Sequence, residues 1–88
     1  MSSILQEIKE ILSYQFSLNE SEIQLETEFE IELGADSRDL IEIMGAFEET
    51  FDIEIVYEDI YEIITVQDAF IYVLSRKAAR NDLYNNLC

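Results

Sequence analysis

Apolar residues recur every three or four positions in three stretches of the chain, which is the spacing of an amphipathic α-helix. The first stretch carries Ile4, Ile8, Ile11 and Leu12 on one face, with Leu5 and Phe16 at its edges. Ser3 followed by Gln6 has the pattern of a capping box. The spacing therefore predicts a first helix from about Ser3 to Phe16.

The second stretch predicts a helix from about Ser37 to Phe51. Its apolar stripe consists of Leu40, Ile43, Met44, Phe47 and Phe51. Asp36 is a favoured N-cap residue, and Asp39 adds a negative charge that suits the helix dipole. Gly45 in its middle costs the helix about 1 kcal/mol relative to alanine.

The third stretch predicts the last helix. Thr65 and Asp68 resemble a capping box, with aspartate in place of glutamate. The apolar positions that follow are Val66, Ala69, Phe70, Val73 and Leu74, and the spacing continues roughly through Ala79, Leu83 and Leu87. This helix is thus predicted to extend past Arg76, and a short acidic segment before it, residues 58–62, is weakly helical.

Residues 17–35 form a long connection in which apolar and acidic residues alternate. The apolar members are Ile23, Leu25, Phe29, Ile31 and Leu33. Such alternation is typical of a strand, but the chain offers no second strand to pair with it. A structured loop that pins several apolar side chains onto the helices is predicted instead. The fold class is all-α: a small bundle of three main helices plus one short helix, with this loop after the first.

Charge narrows the range of partners. The 88 residues include 20 acidic and five basic ones, for a net charge of −15. Such a field repels nucleic acids and anionic membranes and attracts basic protein surfaces. The single cysteine, Cys88, cannot form an intrachain disulfide, and no apolar run reaches the roughly 20 residues of a membrane span. A cytoplasmic protein with no nucleic-acid partner and no membrane insertion is expected.

The residue types exclude most catalytic chemistry. The chain has no histidine, so no triad with an imidazole base can form, and no Cys/His cluster exists for zinc. No glycine-rich phosphate-binding motif and no calcium loop is present. We therefore expect neither an enzyme nor a metal site.

Ser37 is the one candidate for covalent chemistry. It follows Gly34 and the capping residue Asp36 at a predicted helix start, where unpaired N–H groups and the dipole favour an anion. Position alone, however, favours a plain capping role for this serine.

The surrounding string changes that balance. Residues 32–37 read ELGADS and residues 38–55 read RDLIEIMGAFEETFDIEI. These residues resemble the acyl carrier protein family, in which the phosphopantetheine serine lies in a D/E-L-G-x-D-S-L sequence. The run ITVQDA at residues 64–69 is similar to the one that opens the family's last helix. The resemblance spans about residues 4–74.

The resemblance implies a carrier whose 4'-phosphopantetheine arm, transferred from coenzyme A by a phosphopantetheinyl transferase, is attached to Ser37 and holds acyl groups as thioesters. It implies a carrier domain at residues 1–75 and a basic, polar extension at residues 76–88. A monomer is expected. Acyl-loading and acyl-elongating enzymes with basic docking surfaces would be the other partners. The residues implied for partner recognition are Asp36, Arg38, Asp39, Glu42 and Glu48. Those implied for an acyl cleft are Met44, Phe47, Ile64 and Ala69.

Three positions depart from the family pattern. Arg38 replaces the usual leucine after the serine, Gly45 replaces a bulkier apolar residue, and Val56 replaces a frequent proline. Three hypotheses therefore stay open: a carrier for fatty acid synthesis, a specialised carrier for polyketide, aminoacyl or lipid modification, and an unmodified acidic interaction module with the same fold.

Overall fold

A computed structural model describes residues 3–86 and, of these, the side chains of residues 3–78. It has three α-helices: α1, Ile4–Phe16; α2, Ser37–Phe51; and α3, Val66–Asn86. Two short 3₁₀ helices, Glu20–Glu22 and Tyr57–Glu62, lie in the connections. The predicted all-α bundle is confirmed. The expectations for Leu87 and Cys88 lie outside the described residues.

The first helix begins as predicted, but its capping box is only half formed. Ser3 Oγ accepts a hydrogen bond from the Gln6 N–H at 3.0 Å. The Gln6 side chain does not return to Ser3; it donates to the carboxylate of Glu20. The same side chain therefore ties α1 to the first 3₁₀ helix. The helix ends at Ser17, which adopts a left-handed conformation with φ of 54°.

The core lies where the helices and the long loop meet. All five residues of the predicted α2 stripe are buried, together with Ile8 and Leu12 from α1 and Val66, Ala69 and Val73 from α3. Burial of these apolar side chains is the main term that stabilises the bundle. The helical spacing thus predicted the inner faces of α1 and α2 correctly. In α3 the expectation for Leu74 is wrong, since it is 41% exposed at the edge of the buried row of Val66, Ala69 and Val73. The side chains of Ala79 and Leu83 lie outside the described residues.

The long connection between α1 and α2 is a pinned loop and not a strand. Ile23 and Phe29 are fully buried in the core. The backbone of Glu28 forms a single antiparallel bridge with Thr65, and the Phe29 N–H donates to the Ile64 carbonyl at 3.0 Å. Ile31 differs from the expectation for the loop's apolar residues, since 78% of it is exposed. The backbone bonds fix the loop, so not every alternate residue needs to reach the core.

The start of the last helix carries a full reciprocal cap. The Asp68 N–H donates to Thr65 Oγ1 at 3.2 Å, and the Thr65 N–H donates to Asp68 Oδ2 at 3.0 Å. From there α3 continues to Asn86. In the described part of the chain, none of the helices is long and apolar enough to cross a membrane.

Candidate functional site

The amino end of α2 is held by a reciprocal pair of aspartates. The Asp39 N–H donates to Asp36 Oδ1 at 3.0 Å, and the Asp36 N–H donates to Asp39 Oδ2 at 3.2 Å. Ser37, the first residue of the helix, is exposed. Its own N–H and that of Arg38 belong to the first helical turn, where amides have no intrahelical acceptor. An exposed hydroxyl therefore lies beside unpaired amides and at the positive end of the helix dipole.

A cavity of about 430 Å³ opens beside Ser37. Its size is typical of a small-molecule site. Its walls come from the long loop, from α2 and from the segment that precedes α3. The lining residues are Glu28, Glu30, Ile31, Ser37, Leu40, Ile41, Ile60, Tyr61, Ile63 and Ile64. Four of these are large apolar side chains left open to solvent: Ile31, Ile41, Tyr61 and Ile64. The serine hydroxyl thus borders a largely apolar recess.

The structure divides the four residues predicted for an acyl cleft. Ile64 lines the cavity and is 57% exposed. Met44, Phe47 and Ala69 are fully buried and belong to the closed core. Only Ile64 is therefore open to a ligand in this conformation, and the cleft role of the other three stays a prediction that would require the helices to part.

A glutamine side chain of α1 binds two of the acids that were predicted to recognise partners. Gln15 Nε2 donates to Glu42 Oε2 at 2.9 Å and reaches Asp39 Oδ1 at 3.4 Å. Since the amide group of Gln15 is neutral, it orients these carboxylates without cancelling their charge. Gln15 thus joins Asp39 to Glu42, and the helix cap joins Asp39 to Asp36, the residue before Ser37.

The fourth recognition acid, Glu48, has a hydrogen-bond partner at each oxygen. The Ile55 N–H donates to Glu48 Oε2 and the Tyr57 hydroxyl donates to Glu48 Oε1, both at 3.1 Å. The hydrogen bond between the Tyr57 hydroxyl and Glu48, and the negative charge of Glu48, raise the pKa of Tyr57 above its usual value. Glu48 therefore closes the turn after α2, and its role in partner recognition stays a prediction.

Arg38 and Gly45, the two residues of α2 that depart from the family pattern, lie on its outer face. Arg38, Glu42, Gly45 and Glu49 follow one another at spacings of four, three and four residues, which places them in one row along a helix. Arg38 is exposed, and a Cβ added to Gly45 would meet nothing within 4 Å. The substitutions at Arg38 and Gly45 thus alter the surface and not the core, and Gly45 does not line the cavity.

Several residues of the site could not be identified from the sequence pattern. Gln15 is separated from its acceptors by more than 20 residues, so its contact depends on how α1 packs on α2. Ile41 and Tyr61 are apolar or aromatic residues outside the predicted stripes. Their position off the inner face was the one feature of the sequence that could have indicated a role at the surface. Among the described residues, no cluster of side chains suited to a metal ion was found.

Comparisons with known proteins agree with this arrangement. A family model described as PP-binding, a phosphopantetheine attachment site, matches residues 4–73. Among solved structures, the chain is similar to the apo doublet acyl carrier protein from prodigiosin biosynthesis, with 28% sequence identity and a TM-score of 0.70. The match covers 83% of this chain and 35% of the other, so the chain corresponds to about a third of that doublet protein.

Proposed function

The chain belongs to the phosphopantetheine attachment site family of carrier proteins, and from that premise we propose that it carries acyl groups as thioesters on an arm attached to Ser37. The family is one of carriers and not of enzymes, and its cofactor is covalent 4'-phosphopantetheine. The observation that carries the proposal is the exposed Ser37 hydroxyl at the first residue of α2, beside an apolar cavity.

The residues around Ser37 suit a phosphodiester. The first-turn amides and the helix dipole favour its negative charge. The Asp36–Asp39 cap fixes the start of the helix, so the hydroxyl is presented on a rigid element. Exposure lets the active site of a transferase reach the hydroxyl. When bound, the arm supplies a terminal thiol on which acyl groups are held as thioesters.

In the attachment step, Ser37 is a substrate and not a catalyst. Its Oγ forms a bond to the phosphorus that bears the pantetheine of coenzyme A. The pyrophosphate bond breaks, 3',5'-adenosine bisphosphate leaves, and the serine proton passes to a base of the transferase. This chain contributes the positioned hydroxyl, while the transferase and its magnesium ion supply the catalysis.

The cavity gives the carrier a way to shelter its cargo. Each methylene removed from water contributes roughly 0.8 kcal/mol, and the walls include the apolar side chains of Ile31, Ile41 and Ile64. A cargo resting there would be less exposed to hydrolysis between visits to partner enzymes.

The acidic face of α2 would select those partners. Asp36, Asp39 and Glu42 lie together near the attachment point, and the whole chain carries a net charge of −15. Such a surface accelerates encounter with basic docking sites and gives contacts that salt weakens. The same charge disfavours self-association, so the proposal includes a monomer. It also includes a cytoplasmic location.

Mass spectrometry tests the attachment. The chain is incubated with coenzyme A, magnesium and a broad-specificity phosphopantetheinyl transferase, together with the variants Ser37→Ala and Ser75→Ala. We expect the wild type and Ser75→Ala to gain the mass of one phosphopantetheinyl group, and Ser37→Ala to gain nothing. Failure of all three, or modification of Ser37→Ala, would overturn the proposal; the first result would favour an unmodified interaction module.

A specialised pathway is favoured over general fatty acid synthesis by two observations. Arg38 and Gly45, the two departures in α2, both lie on its outer face, where partners would make contact. The similar doublet protein is described as coming from prodigiosin biosynthesis. Analysis of the acyl group found on the protein isolated from its own cells decides between the two pathways, and long saturated chains would favour fatty acid synthesis.

A further inference from the structure

The residues that line the cavity beside Ser37 indicate which kind of acyl group it favours. This inference rests on the proposed attachment of the arm at Ser37. Seven of the ten lining residues are apolar or aromatic, and the remaining three are Ser37, Glu28 and Glu30. No lysine, arginine or histidine is among them. The recess is thus apolar and, where charged, only negative.

Backbone hydrogen bonds fix the part of the loop that carries Glu28 and Glu30. The Phe29 N–H donates to the Ile64 carbonyl, and the Val66 N–H donates to the Thr27 carbonyl, both at 3.0 Å. The bridge between Glu28 and Thr65 lies between them. The backbone that carries Glu28 and Glu30 is therefore fixed beside Ile64, and both residues line the cavity.

An aromatic ring adds a second, independent feature. Tyr61 lines the same cavity and is 87% exposed, so its ring is open to a ligand. The face of an aromatic ring attracts cations within about 6 Å. Carboxylates and an open ring both favour a positive group, and the lining residues include no cationic side chain that would pair with a negative one.

We propose that this cavity receives an acyl group with an apolar stem and a cationic amine, as in an aminoacyl thioester, and disfavours acyl groups that bear a second carboxylate. The isoleucine walls would hold the stem, since they remove its methylenes from water. Glu28, Glu30 and the Tyr61 ring would face the amine. A dicarboxylic acyl group would instead place its free carboxylate beside two like charges, with no cation among the lining residues to offset them.

Three cargoes of equal length test the proposal. A six-carbon acyl chain ending in an amine, a methyl or a carboxylate is loaded on the full chain through the transferase, from coenzyme A analogues. An amide replaces the thioester, so that neither hydrolysis nor cyclisation competes. The space suits this length, because a cavity of about 430 Å³ is within the range of small-molecule sites. The ratio of docked to free cargo is read from the methyl resonances of Ile31, Ile41 and Ile64.

Each charge pair at a surface contributes a few-fold at most, and the effects of two carboxylates multiply. We therefore expect the docked-to-free ratio of the amine-ended cargo to exceed that of the carboxyl-ended cargo by roughly tenfold. The double variant Glu28→Gln/Glu30→Gln should bring the amine-ended cargo close to the methyl-ended one. The matched control, Glu10→Gln/Glu54→Gln, makes the same change in net charge at exposed positions outside the cavity. It should leave the preference in place.

Two results would overturn the inference: equal docking of the amine and carboxyl cargoes, or a preference that is not reduced in Glu28→Gln/Glu30→Gln. These outcomes differ from a failure of the proposed function, which would appear earlier as an absence of loading or as loading that does not depend on Ser37.

Discussion

Asp36 and Asp39 each accept the other's backbone N–H, at 3.0 and 3.2 Å, and this pair sets the first turn of α2. Loss of an N-cap side chain costs about 1 kcal/mol. We therefore expect Asp36→Ala to lower the free energy of unfolding by about that amount, measured by urea denaturation. Asp36→Asn should lose much less, because asparagine also caps well. Equal losses for the two variants would show that the charge and not the cap is responsible.

The two glycines should respond in opposite directions to alanine. Gly45 is a helical position where an added Cβ meets nothing within 4 Å, while Gly34 has a φ of +67°. Gly45→Ala should therefore stabilise the fold by about 1 kcal/mol. Gly34→Ala should destabilise it by about 1–2 kcal/mol, because an L-residue is strained there. Thermal unfolding of both variants checks the pair, and a destabilised Gly45→Ala would contradict the open position assigned to it.

Tyr72 joins the segment before α3 to that helix. Its hydroxyl donates to Asp59 Oδ2 at 2.7 Å and accepts the Val56 N–H at 3.2 Å. Tyr72→Phe removes both bonds and should cost about 1–2 kcal/mol, with faster hydrogen exchange of the Val56 amide. Tyr14→Phe is the matched control, since Tyr14 is 88% exposed. Unchanged exchange at Val56 would argue against the bond.

Asp68 predicts a pH dependence. Its carboxylate accepts the N–H groups of Thr65 and Ile64, and these bonds lower the pKa of Asp68 below its usual 3.8. A lowered folded-state pKa stabilises the fold above the unfolded-state pKa, and that stability is lost as the pH falls through the folded-state value.

The difference in unfolding free energy between wild type and Asp68→Asn should accordingly be present at neutral pH and shrink between about pH 4 and the lower folded-state pKa. Taking the difference removes the common effect of protonating the other acids. Glu58→Gln, at an exposed position, serves as the control variant. A gap that stays constant with pH would mean that the bonds to Asp68 do not depend on its charge.

Arg38 offers a test of partner choice. It is the exposed second residue of α2, next to the proposed attachment point. Arg38→Leu restores the apolar residue typical of the family, so we expect a several-fold higher kcat/KM with a transferase from a standard fatty-acid system. Arg38→Gln and Lys9→Gln separate the effect of position from that of charge. An unchanged rate for Arg38→Leu would show that Arg38 does not govern this encounter.

The elements were predictable because they depend on local spacing. Ser37–Phe51 was predicted with the bounds that the structure shows, since a continuous stripe and a strong cap coincide there. The half-formed cap of α1 was not predictable, because the Gln6 side chain is drawn to Glu20, fourteen residues away. A local pattern does not show which of two partners a side chain will meet.

The sequence by itself determined three things about this protein: the helical faces, the excess of acid, and a serine at a helix start within a family motif. All three depend on residues close together in the chain. Only the tertiary structure decided what surrounds that serine. The backbone bond from Phe29 to Ile64 brings the loop against the segment before α3, and the loop residues Glu28 and Glu30 line the same cavity as Tyr61. The alternation of apolar and acidic residues in the loop does not predict that Ile31 stays exposed. Hydrogen bonds between distant segments, and not local periodicity, fix its position.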